Sequence, residues 1–433
     1  MDDVLLSESV STKFRSASLR WWGVSLTLLI IWVVSLMDKI TLGVFIADEP
    51  FLHAMGLVGK PAAIGLLLSS FLVAYGLTTF VIGFVIDRLG VRRVLFWSMV
   101  VSGVFEFLQG YAGNLNVMIL LRVLLGISQA CLIPASIVMT AKWFPMKERA
   151  RAQSVWLNGI NLGPVAGILL VTFFIAHAGW QMAFKIVGIL QLIVTIPMIW
   201  YLTAETPADH PRISAAELKY IETEKAKDLT GESGFPKIKQ RSLRQVFSDN
   251  KVWLVFLAWI LDTMIFFTIA GWFVKYMHDI RHLSLSSAGS FTSFSFLIGV
   301  VGMLIAGQLS DRWLKRRAPI STLGYALAAV CLFFATRAAT PLGAALGLAL
   351  TMTFKNMASI TTTTMMHNST ASMNLGTVNA IQVGPSNLLA AFGPWFFGVL
   401  IGLSGGFADG FNGIVVLFAI SALSCLFLWI QKQ

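Results

Sequence analysis

The chain has 433 residues, of which 56% are hydrophobic and only 12% are charged, and its formal net charge is +11. A soluble protein of this length needs far more charge to cover its surface, so the composition excludes a soluble protein. The mean hydropathy of +0.76 is typical of a chain that lies largely in lipid.

Long apolar runs predict about twelve membrane-spanning helices. A run of about 20 mostly apolar residues crosses the hydrocarbon core, and in lipid only a helix satisfies its own backbone hydrogen bonds. The first run is too long for a cleavable signal peptide, and no small-residue cleavage site follows it. We therefore expect an all-α polytopic membrane protein. Its twelve transmembrane helices, spans 1 to 12, are predicted near residues 20–47, 61–86, 94–112, 116–141, 150–176, 181–202, 252–277, 285–310, 318–337, 341–365, 373–402 and 411–431.

The placement of lysine and arginine predicts the orientation of the spans. Lysine and arginine cluster after spans 2, 4 and 8. The opposite loop at 48–60 has a single one of these residues, Lys60. Because cytoplasmic loops are enriched in these residues, both termini are expected on the cytoplasmic side of the plasma membrane, the inner membrane of a bacterium. The same bias accounts for the net positive charge, so no nucleic-acid partner is expected.

One long polar stretch, residues 203–251, divides the spans six and six. Ser214 and Glu217 have the spacing of a capping box ahead of a charged segment, which predicts a short surface helix. The predicted organisation is an N-terminal tail at 1–19, a six-helix half at 20–202, a cytoplasmic linker at 203–251 and a second six-helix half at 252–433.

An eleven-residue motif ends the second span of each half, as GFVIDRLGVRR at 83–93 and GQLSDRWLKRR at 307–317. Two six-helix halves repeated in parallel are typical of one class of secondary transporter, whose halves rock around a site near the bilayer midplane. We expect each motif glycine to let a neighbouring backbone approach, and each aspartate to accept hydrogen bonds from an adjacent helix N-terminus. The basic residues would anchor each motif on the cytoplasmic side. The predicted gating residues are Gly83, Asp87, Arg88, Arg92, Gly307, Asp311, Arg312 and Arg316.

Residues 122–152, RVLLGISQACLIPASIVMTAKWFPMKERARA, resemble the span 4 fingerprint of the anion:cation symporter family within the major facilitator superfamily. The elements WFP at 143–145 and ER at 148–149 carry the likeness, and ISAAELKYI at 213–221 is similar to the same family. The likeness to the superfamily covers essentially the whole chain. It implies the major facilitator fold with two pseudo-symmetric halves, a monomer, and uptake of organic anions such as sugar acids or aromatic carboxylates. The coupling ion implied is a proton or sodium.

Charged residues inside the spans are the candidates for the site. A charge at the bilayer centre costs about 2.5–3.5 kcal/mol on insertion scales, so each one needs a functional or structural reason. Interior cations in an apolar bundle suit a carboxylate substrate. The structural alternative is an ion pair within the bundle. The intramembrane charges are Asp38, Lys39, Glu106, Arg122, Asp262 and Lys355.

Several positions match the site of the resembled family. The family places an Asp-Arg pair in span 1, where this chain has Asp38-Lys39, and its span 4 arginine matches Arg122. Tyr75 and Asn379 match site-lining positions, and Asn158 and Gln382 are further polar candidates. The predicted substrate-binding residues are Lys39, Tyr75, Arg122, Gln129, Asn158, Asn379 and Gln382.

The main departure from the family is Gln129, where a protonatable glutamate is usual. An amide has no charge change near neutral pH, so the chain either couples through other acids or is not coupled in the usual way. Asp38 is the first candidate for proton coupling and Asp262 the second, although Asp262 has an ion pair with Lys355 as its structural alternative. Glu106 is expected to serve packing or stability.

Two other functions are weighed against symport. An exporter that exchanges substrate for protons is the alternative, because GINLGPVAG at 159–167 partly resembles the glycine-proline motif of antiporters. A membrane enzyme is not expected, because the chain has no HExxH, GxSxG or phosphate-binding glycine loop. The three cysteines all lie inside spans, so no disulfide framework, metal site or cofactor is expected.

Overall fold

The structure, a computed structural model, describes residues 18–230, 248–309, 317–370 and 375–431; within them, the side chains at 150, 229–230, 302–309, 367–370 and 375–382 are not described. Helices occupy all twelve predicted span positions, which confirms the all-α polytopic architecture. Eight helical runs in the described ranges are long and apolar enough to cross a membrane, and one of them, Met146–Leu202, holds spans 5 and 6 together.

Spans 1 to 6 form the first half, and a short helix, Glu49–Ala54, lies in the loop after span 1. Span 1 begins as a π-helix and is interrupted near its end, and spans 4 and 5 are each built from two consecutive helices. The bounds are Arg20–Ser25, Leu26–Ile40 and Leu42–Phe45 for span 1, Pro61–Leu89 for span 2, Val91–Gln109 for span 3, Leu115–Gln129 and Leu132–Trp143 for span 4, and Met146–Leu157 and Gly159–Leu202 for spans 5 and 6.

The second half repeats this order after the linker helix, Ala215–Thr230, which is the surface helix predicted from the capping box. The bounds of spans 7 to 12 are Asn250–Asp279, Leu285–Leu309, Arg317–Arg337, Pro341–Thr370, Leu375–Ala390 followed by Phe392–Ser404, and Phe407–Ile430.

Local sequence explains where several helices begin and end. Gly179 has φ 78 and ψ 165, a conformation open to glycine, and it turns the chain back between spans 5 and 6. The Asn114 side chain accepts a hydrogen bond from the amide of Val117 at 3.0 Å, which caps the first turn of span 4. Asp249 caps span 7 in the same way.

The two halves meet most closely where glycines remove side chains between backbones. A Cβ built at Gly65 in span 2 would lie 2.5 Å from the carbonyl oxygen of Pro394 in span 11. A Cβ at Gly43, near the end of span 1, would lie 2.6 Å from the carbonyl oxygen of Ala270 in span 7. Both contacts are too short for any side chain, so the halves are pressed together at the end of the bundle opposite the linker.

Spans 5 and 8 form a second contact between the halves. The Ser293 hydroxyl donates to the carbonyl oxygen of Val165 at 2.8 Å, and Gly289 faces Thr172. Deeper in the bundle, the Asn356 side-chain amide in span 10 donates to Asn161 in span 5 at 3.5 Å. Polar groups therefore bridge the halves in a region where lipid offers no alternative partner.

Two glutamates hold the linker end of the first half together by capping helices in trans. Glu217 of the linker helix accepts from the amides of Leu19 and Arg20 at 3.0 and 3.3 Å, at the start of span 1. Glu205 accepts from the amides of Val91 and Arg92 at 3.1 and 3.0 Å, at the start of span 3. A carboxylate at a helix N-terminus is favoured both by the free amides and by the helix dipole.

The structure differs from the contacts expected of the first motif copy. No described atom lies within 4 Å of a Cβ built at Gly83, and Asp87 is exposed instead of accepting from a described helix N-terminus. Gly90, with φ 86, turns the chain into the next helix, whose first amides donate to Glu205 in the segment after span 6. Arg88 is exposed, and Arg92 donates to the carbonyl oxygen of Trp200 at 2.7 Å. For the second copy, the surroundings of Gly307 and the residues Asp311, Arg312 and Arg316 lie outside the described part of the chain.

The glycine contact between spans 2 and 11 predicts opposite effects for two substitutions on one helix. Gly65→Ala should destabilise the protein by about 1–3 kcal/mol, because the new methyl group meets backbone that cannot swing away. Gly83→Ala, the matched control, should be neutral or stabilising by up to about 1 kcal/mol, because alanine favours helix and meets no described atom. Thermal unfolding of the purified protein measures both. Equal melting temperatures for the two variants would contradict the close contact.

The Glu205 cap predicts a pH-dependent contribution to stability. Burial alone would raise the pKa of Glu205, but hydrogen bonds from Lys142 and from the amides of Arg92 and Val91 lower it below its ordinary value. A carboxylate with a lowered pKa stabilises the fold above its unfolded pKa of about 4.3 and loses that contribution as pH falls through its folded pKa. Glu205→Gln should therefore lower the melting temperature at neutral pH, with the difference from wild type shrinking in acid.

The matched control for this cap is Glu222→Gln, because Glu222 is exposed on the linker helix. That variant should match wild type at each pH. A Glu205→Gln difference that stays constant from neutral to acid pH would show that the charge of Glu205 contributes nothing.

Candidate ligand-binding site

Span 1 is held against span 5 by a row of glycines. A Cβ at Gly159 would lie 2.5 Å from the Cβ of Trp32, and a Cβ at Gly163 would lie 2.5 Å from the Cβ of Leu36. Gly167 continues the row at four-residue spacing, so the three glycines lie on one helix face. The glycines that partly resemble an antiporter motif thus form a packing surface, which sets the rotation and height of span 1.

Arg122 is the buried centre of the first half, with only 1% of its surface exposed. Its guanidinium donates to the backbone carbonyl oxygens of Asp38 at 2.8 Å and of Lys39 at 3.4 Å. One side chain from span 4 therefore holds two successive carbonyl groups of span 1. The fork shape of the guanidinium makes this double contact possible.

Asp38 is fully buried and receives a hydrogen bond from the side chain of Gln129. The Gln129 Nε2 atom lies 2.9 Å from Asp38 Oδ2. The seven-residue spacing of Arg122 and Gln129 places them on one face of span 4, and both contact Asp38 of span 1. The amide at position 129 is thus a donor to the acid that the sequence nominates for coupling.

Lys39 differs from its neighbours in being partly exposed. Its ammonium group lies 4.6 Å from the ring centroid of Tyr75, 5.4 Å from that of Trp32 and 5.5 Å from that of Phe71. No carboxylate oxygen of the described residues lies within 4.0 Å of this nitrogen. The Lys39 ammonium group therefore makes cation–π contacts with aromatic rings and forms no ion pair with a described carboxylate.

The ammonium group faces a small cavity between the halves. Its volume is about 10 Å³, and its walls include Phe71 of the first half and Phe267, Gly271 and Pro394 of the second. A space of this size holds about one water molecule, so an organic molecule fits only after the walls move apart.

A second, larger cavity of about 800 Å³ lies at the end opposite the linker. Along span 1, Lys39 faces the small cavity, Gly43 touches the backbone of span 7, and Ala47 lines the large cavity. These residues follow one another at four-residue spacing along span 1 and the turn after it, in that order. The close contact at Gly43 separates Lys39 from the large cavity.

The second half has its own buried charge pair. The Lys355 ammonium group lies 3.0 Å from Asp262 Oδ2, while Ser359 and Tyr325 donate to Asp262 Oδ1 at 2.6 and 3.2 Å. Each oxygen of Asp262 therefore has a partner. The structural alternative considered for Asp262, an ion pair with Lys355, is present.

The remaining predicted substrate-binding residues are Asn158, Asn379 and Gln382. The Asn158 side chain donates to the carbonyl oxygen of Ser154 in its own helix at 2.7 Å, and no described bond joins it to Arg122 or Lys39. Asn379 and Gln382 lie in the helix Leu375–Ala390, but their side chains lie outside the described residues.

Sequence reasoning missed the aromatic shell of Lys39. Trp32 precedes Lys39 by seven residues, and Phe71 precedes Tyr75 by four, so each pair shares a helix face. That spacing was the available signal. The pairing of the two faces depends on how spans 1 and 2 are rotated.

Comparison with known proteins identifies the family to which the chain is similar. A model of the Major Facilitator Superfamily matches residues 27–381. The chain is 27% identical over 324 residues to the probable galactarate/D-glucarate transporter GudP of Escherichia coli (strain K12), covering 72% of this chain and 70% of the relative. It is 25% identical over 404 residues to a probable L-galactonate transporter of the same organism, covering 92% and 86%.

Among solved structures, the fold resembles a bacterial homolog of the human lysosomal transporter Spinster in its inward-facing and occupied conformation. The TM-score is 0.69 at 16% sequence identity, with 96% of this chain and 98% of that chain covered. At this identity the likeness concerns the fold alone.

The double contact of Arg122 predicts that lysine cannot replace it. Arg122→Lys should lower stability by about 1.5–3 kcal/mol, because one ammonium group cannot reach both carbonyl oxygens and a charge-assisted hydrogen bond is lost. The matched control is Arg151→Lys at an exposed position, which should change stability by less than about 0.5 kcal/mol. Thermal unfolding without ligand measures both, and a wild-type melting temperature for Arg122→Lys would contradict the bridging role.

Proposed function

The chain belongs to the Major Facilitator Superfamily, and from this membership we propose that it imports a small organic anion by symport with protons. The substrate class is a sugar acid or related carboxylate, and transport proceeds by alternating access of a site between the two halves. The coupling ion is the proton, with sodium as the alternative to be tested.

The observation that carries this proposal is the environment of Lys39. The ammonium group lies at the boundary of the halves, faces the small cavity and has no carboxylate within 4.0 Å among the described side chains. A carboxylate substrate would provide the missing counter-charge, and the aromatic rings around it suit the carbon skeleton of a sugar acid. The names of the two Escherichia coli relatives, which specify galactarate, D-glucarate and L-galactonate, support the same substrate class.

The contacts between the halves support a state closed on the outer side. The excess of basic residues supports a linker end in the cytoplasm of a bacterial cell, and in that orientation the contacts at Gly43 and Gly65 lie toward the outer face. Substrate from outside would collect in the cavity of about 800 Å³ and reach Lys39 when the Gly43 contact with span 7 opens. The motif residues Asp87 and Asp311, with their basic neighbours, are proposed to close the cytoplasmic side in the opposite state.

Coupling follows from charge balance around Asp38. Arg122 and Gln129 both contact the Asp38 residue, and Lys39 follows it directly in the chain. When an anion occupies Lys39, the cations compensate Asp38 less well, and a proton on Asp38 restores the balance. Anion and proton therefore bind cooperatively, each increasing the affinity for the other. Asp262 is the next acid to consider, although both of its carboxylate oxygens already have partners. Lys355 pairs with one oxygen and Ser359 donates to the other.

The proposal predicts the effect of removing the Lys39 charge. Lys39→Met keeps the length and apolar stem of the side chain but deletes the ammonium group, so affinity for galactarate should fall by tenfold or more, about 1.4 kcal/mol or above. The matched control is Lys185→Met, because the Lys185 ammonium group lies 3.7 Å above the Tyr111 ring away from the cavity. Binding is measured by thermal shift and uptake by reconstituted vesicles.

Three outcomes would count against the proposal. Equal affinity of Lys39→Met and Lys185→Met for galactarate, L-galactonate and related acids would place the site elsewhere. Uptake driven by a sodium gradient and indifferent to pH would exclude proton coupling. Accumulation of substrate against the direction of an imposed proton gradient would identify the exporter instead.

A further inference from the structure

Two buried acids of the first half each accept a hydrogen bond from a glutamine side chain. The proposed function assigns a role to only one of these acids. Asp38 receives a hydrogen bond from Gln129 at 2.9 Å, and Glu106 receives one from Gln109 at 2.6 Å. All four side chains are fully buried. Each acid thus uses one carboxylate oxygen to accept from a glutamine amide.

The other oxygen of each acid has no hydrogen-bond donor. Asp38 Oδ1 and Glu106 Oε1 are buried and unpartnered, and so are the amide oxygens of Gln129 and Gln109. A buried acceptor without a donor is costly in a low-dielectric interior. One proton added to the free carboxylate oxygen of each acid would remove its buried negative charge without breaking the existing bond from the glutamine.

Arg122 interacts electrostatically with both acids. Its guanidinium interacts with the charges of both Glu106 and Asp38, and the two carboxylates also interact with each other. With Lys39 and Arg122 positive and the two acids negative, the cluster is neutral when empty. A dianion bound at Lys39 would leave it with two uncompensated negative charges in the membrane interior.

The other polar and charged groups around span 3 do not neutralise these two negative charges. From span 6, the Lys185 ammonium group lies on the Tyr111 ring near the end of span 3, and Gln191 donates to the carbonyl oxygen of Met99 and to Ser102. The described charged side chains of span 2, Asp87 and Arg88, are exposed. Within the cluster, Glu106 interacts electrostatically with Arg122 and Asp38.

We propose that Glu106 is a second proton-binding site, paired with Gln109 as Asp38 is paired with Gln129. This inference rests on the proposed function, and it places the second titrating acid in span 3. In the resembled family that acid stands in span 4, at the position of Gln129. The proton adds to Glu106 Oε1 and leaves from it when the anion departs. A dianion is carried with two protons and a monoanion with one.

The first experiment needs no substrate. Purified protein is brought from alkaline to mildly acid pH, where exposed carboxylates are still ionised, and infrared difference spectra record the C=O bands of buried carboxyl groups that take up a proton. The same titration in heavy water shifts each of these bands, because a deuteron is added instead. Glu106 is the one glutamate within the predicted spans, so labelling the wild-type protein with carbon-13 glutamate should shift one of two such bands. Glu106→Gln should delete that band, and Asp38→Asn should delete the other.

A control on the same helix separates charge from packing. Ser102→Ala, one turn before Glu106, should keep both bands, and Glu106→Asp should retain two bands with one shifted. If the carbon-13 label shifts no band in the wild-type protein, the inference is overturned whether or not Glu106→Gln folds.

The second experiment measures protons per substrate in vesicles, from the pH difference that stops net flux against a set gradient of galactarate. Wild type, Ser102→Ala and Glu106→Asp should need two protons and Glu106→Gln one, while L-galactonate should need one proton in wild type. Galactarate flux without proton movement in wild type would sink the proposed function. Proton-coupled flux with the same ratio in wild type and Glu106→Gln would overturn this inference alone.

Discussion

The guanidinium of Arg122 holds the carbonyl oxygens of Asp38 and Lys39 from a neighbouring helix, in an interior where neither group can reach water. A charge at this depth is expensive, and its cost is offset only when its donors are used and acids lie close by. Both conditions depend on span 1 standing at one height and rotation. The glycine row of span 5 sets that position, because any larger side chain there would push the two helices apart.

The two halves use their buried charges differently. In the second half, Asp262 has partners on both oxygens, so its charge is compensated locally by Lys355, Ser359 and Tyr325. In the first half, Asp38 and Glu106 each keep one oxygen without a donor, and Lys39 rests on aromatic rings. The second half is therefore electrostatically complete as it stands, whereas the first half is built to accept further charges. This asymmetry is the reason for proposing that the titrating chemistry lies in the first half and that the second half is the wall that moves.

Movement of that wall is governed by backbone contacts that need glycine. At Gly43 and Gly65 the backbones of the two halves approach closely, with no side chain from either glycine between them. By contrast, the linker end of the first half is fastened by Glu205 and Glu217, whose carboxylates cap helices that belong to other segments. The first half is therefore held together as one body, and the proposed movement takes place at the contacts between the halves.

The sequence by itself determined the architecture, because span length and apolarity are local properties of a run of residues. It also predicted the turn between spans 5 and 6, where Gly179 lies, and the linker helix, since both follow from short-range signals. The seven-residue spacing of Arg122 and Gln129 correctly indicated one shared face of span 4.

Only the tertiary structure determines which residues on different helices contact one another. Glu106 was assigned to packing from the sequence, and Asp87 was expected to accept from a helix N-terminus. The structure shows Glu106 fully buried with a hydrogen bond from Gln109, and it shows that the first amides of span 3 donate to Glu205. Such pairings depend on the rotation and separation of helices that are distant in the chain. Each residue pattern constrains its own helix face, and no local pattern specifies which face of another helix it will meet.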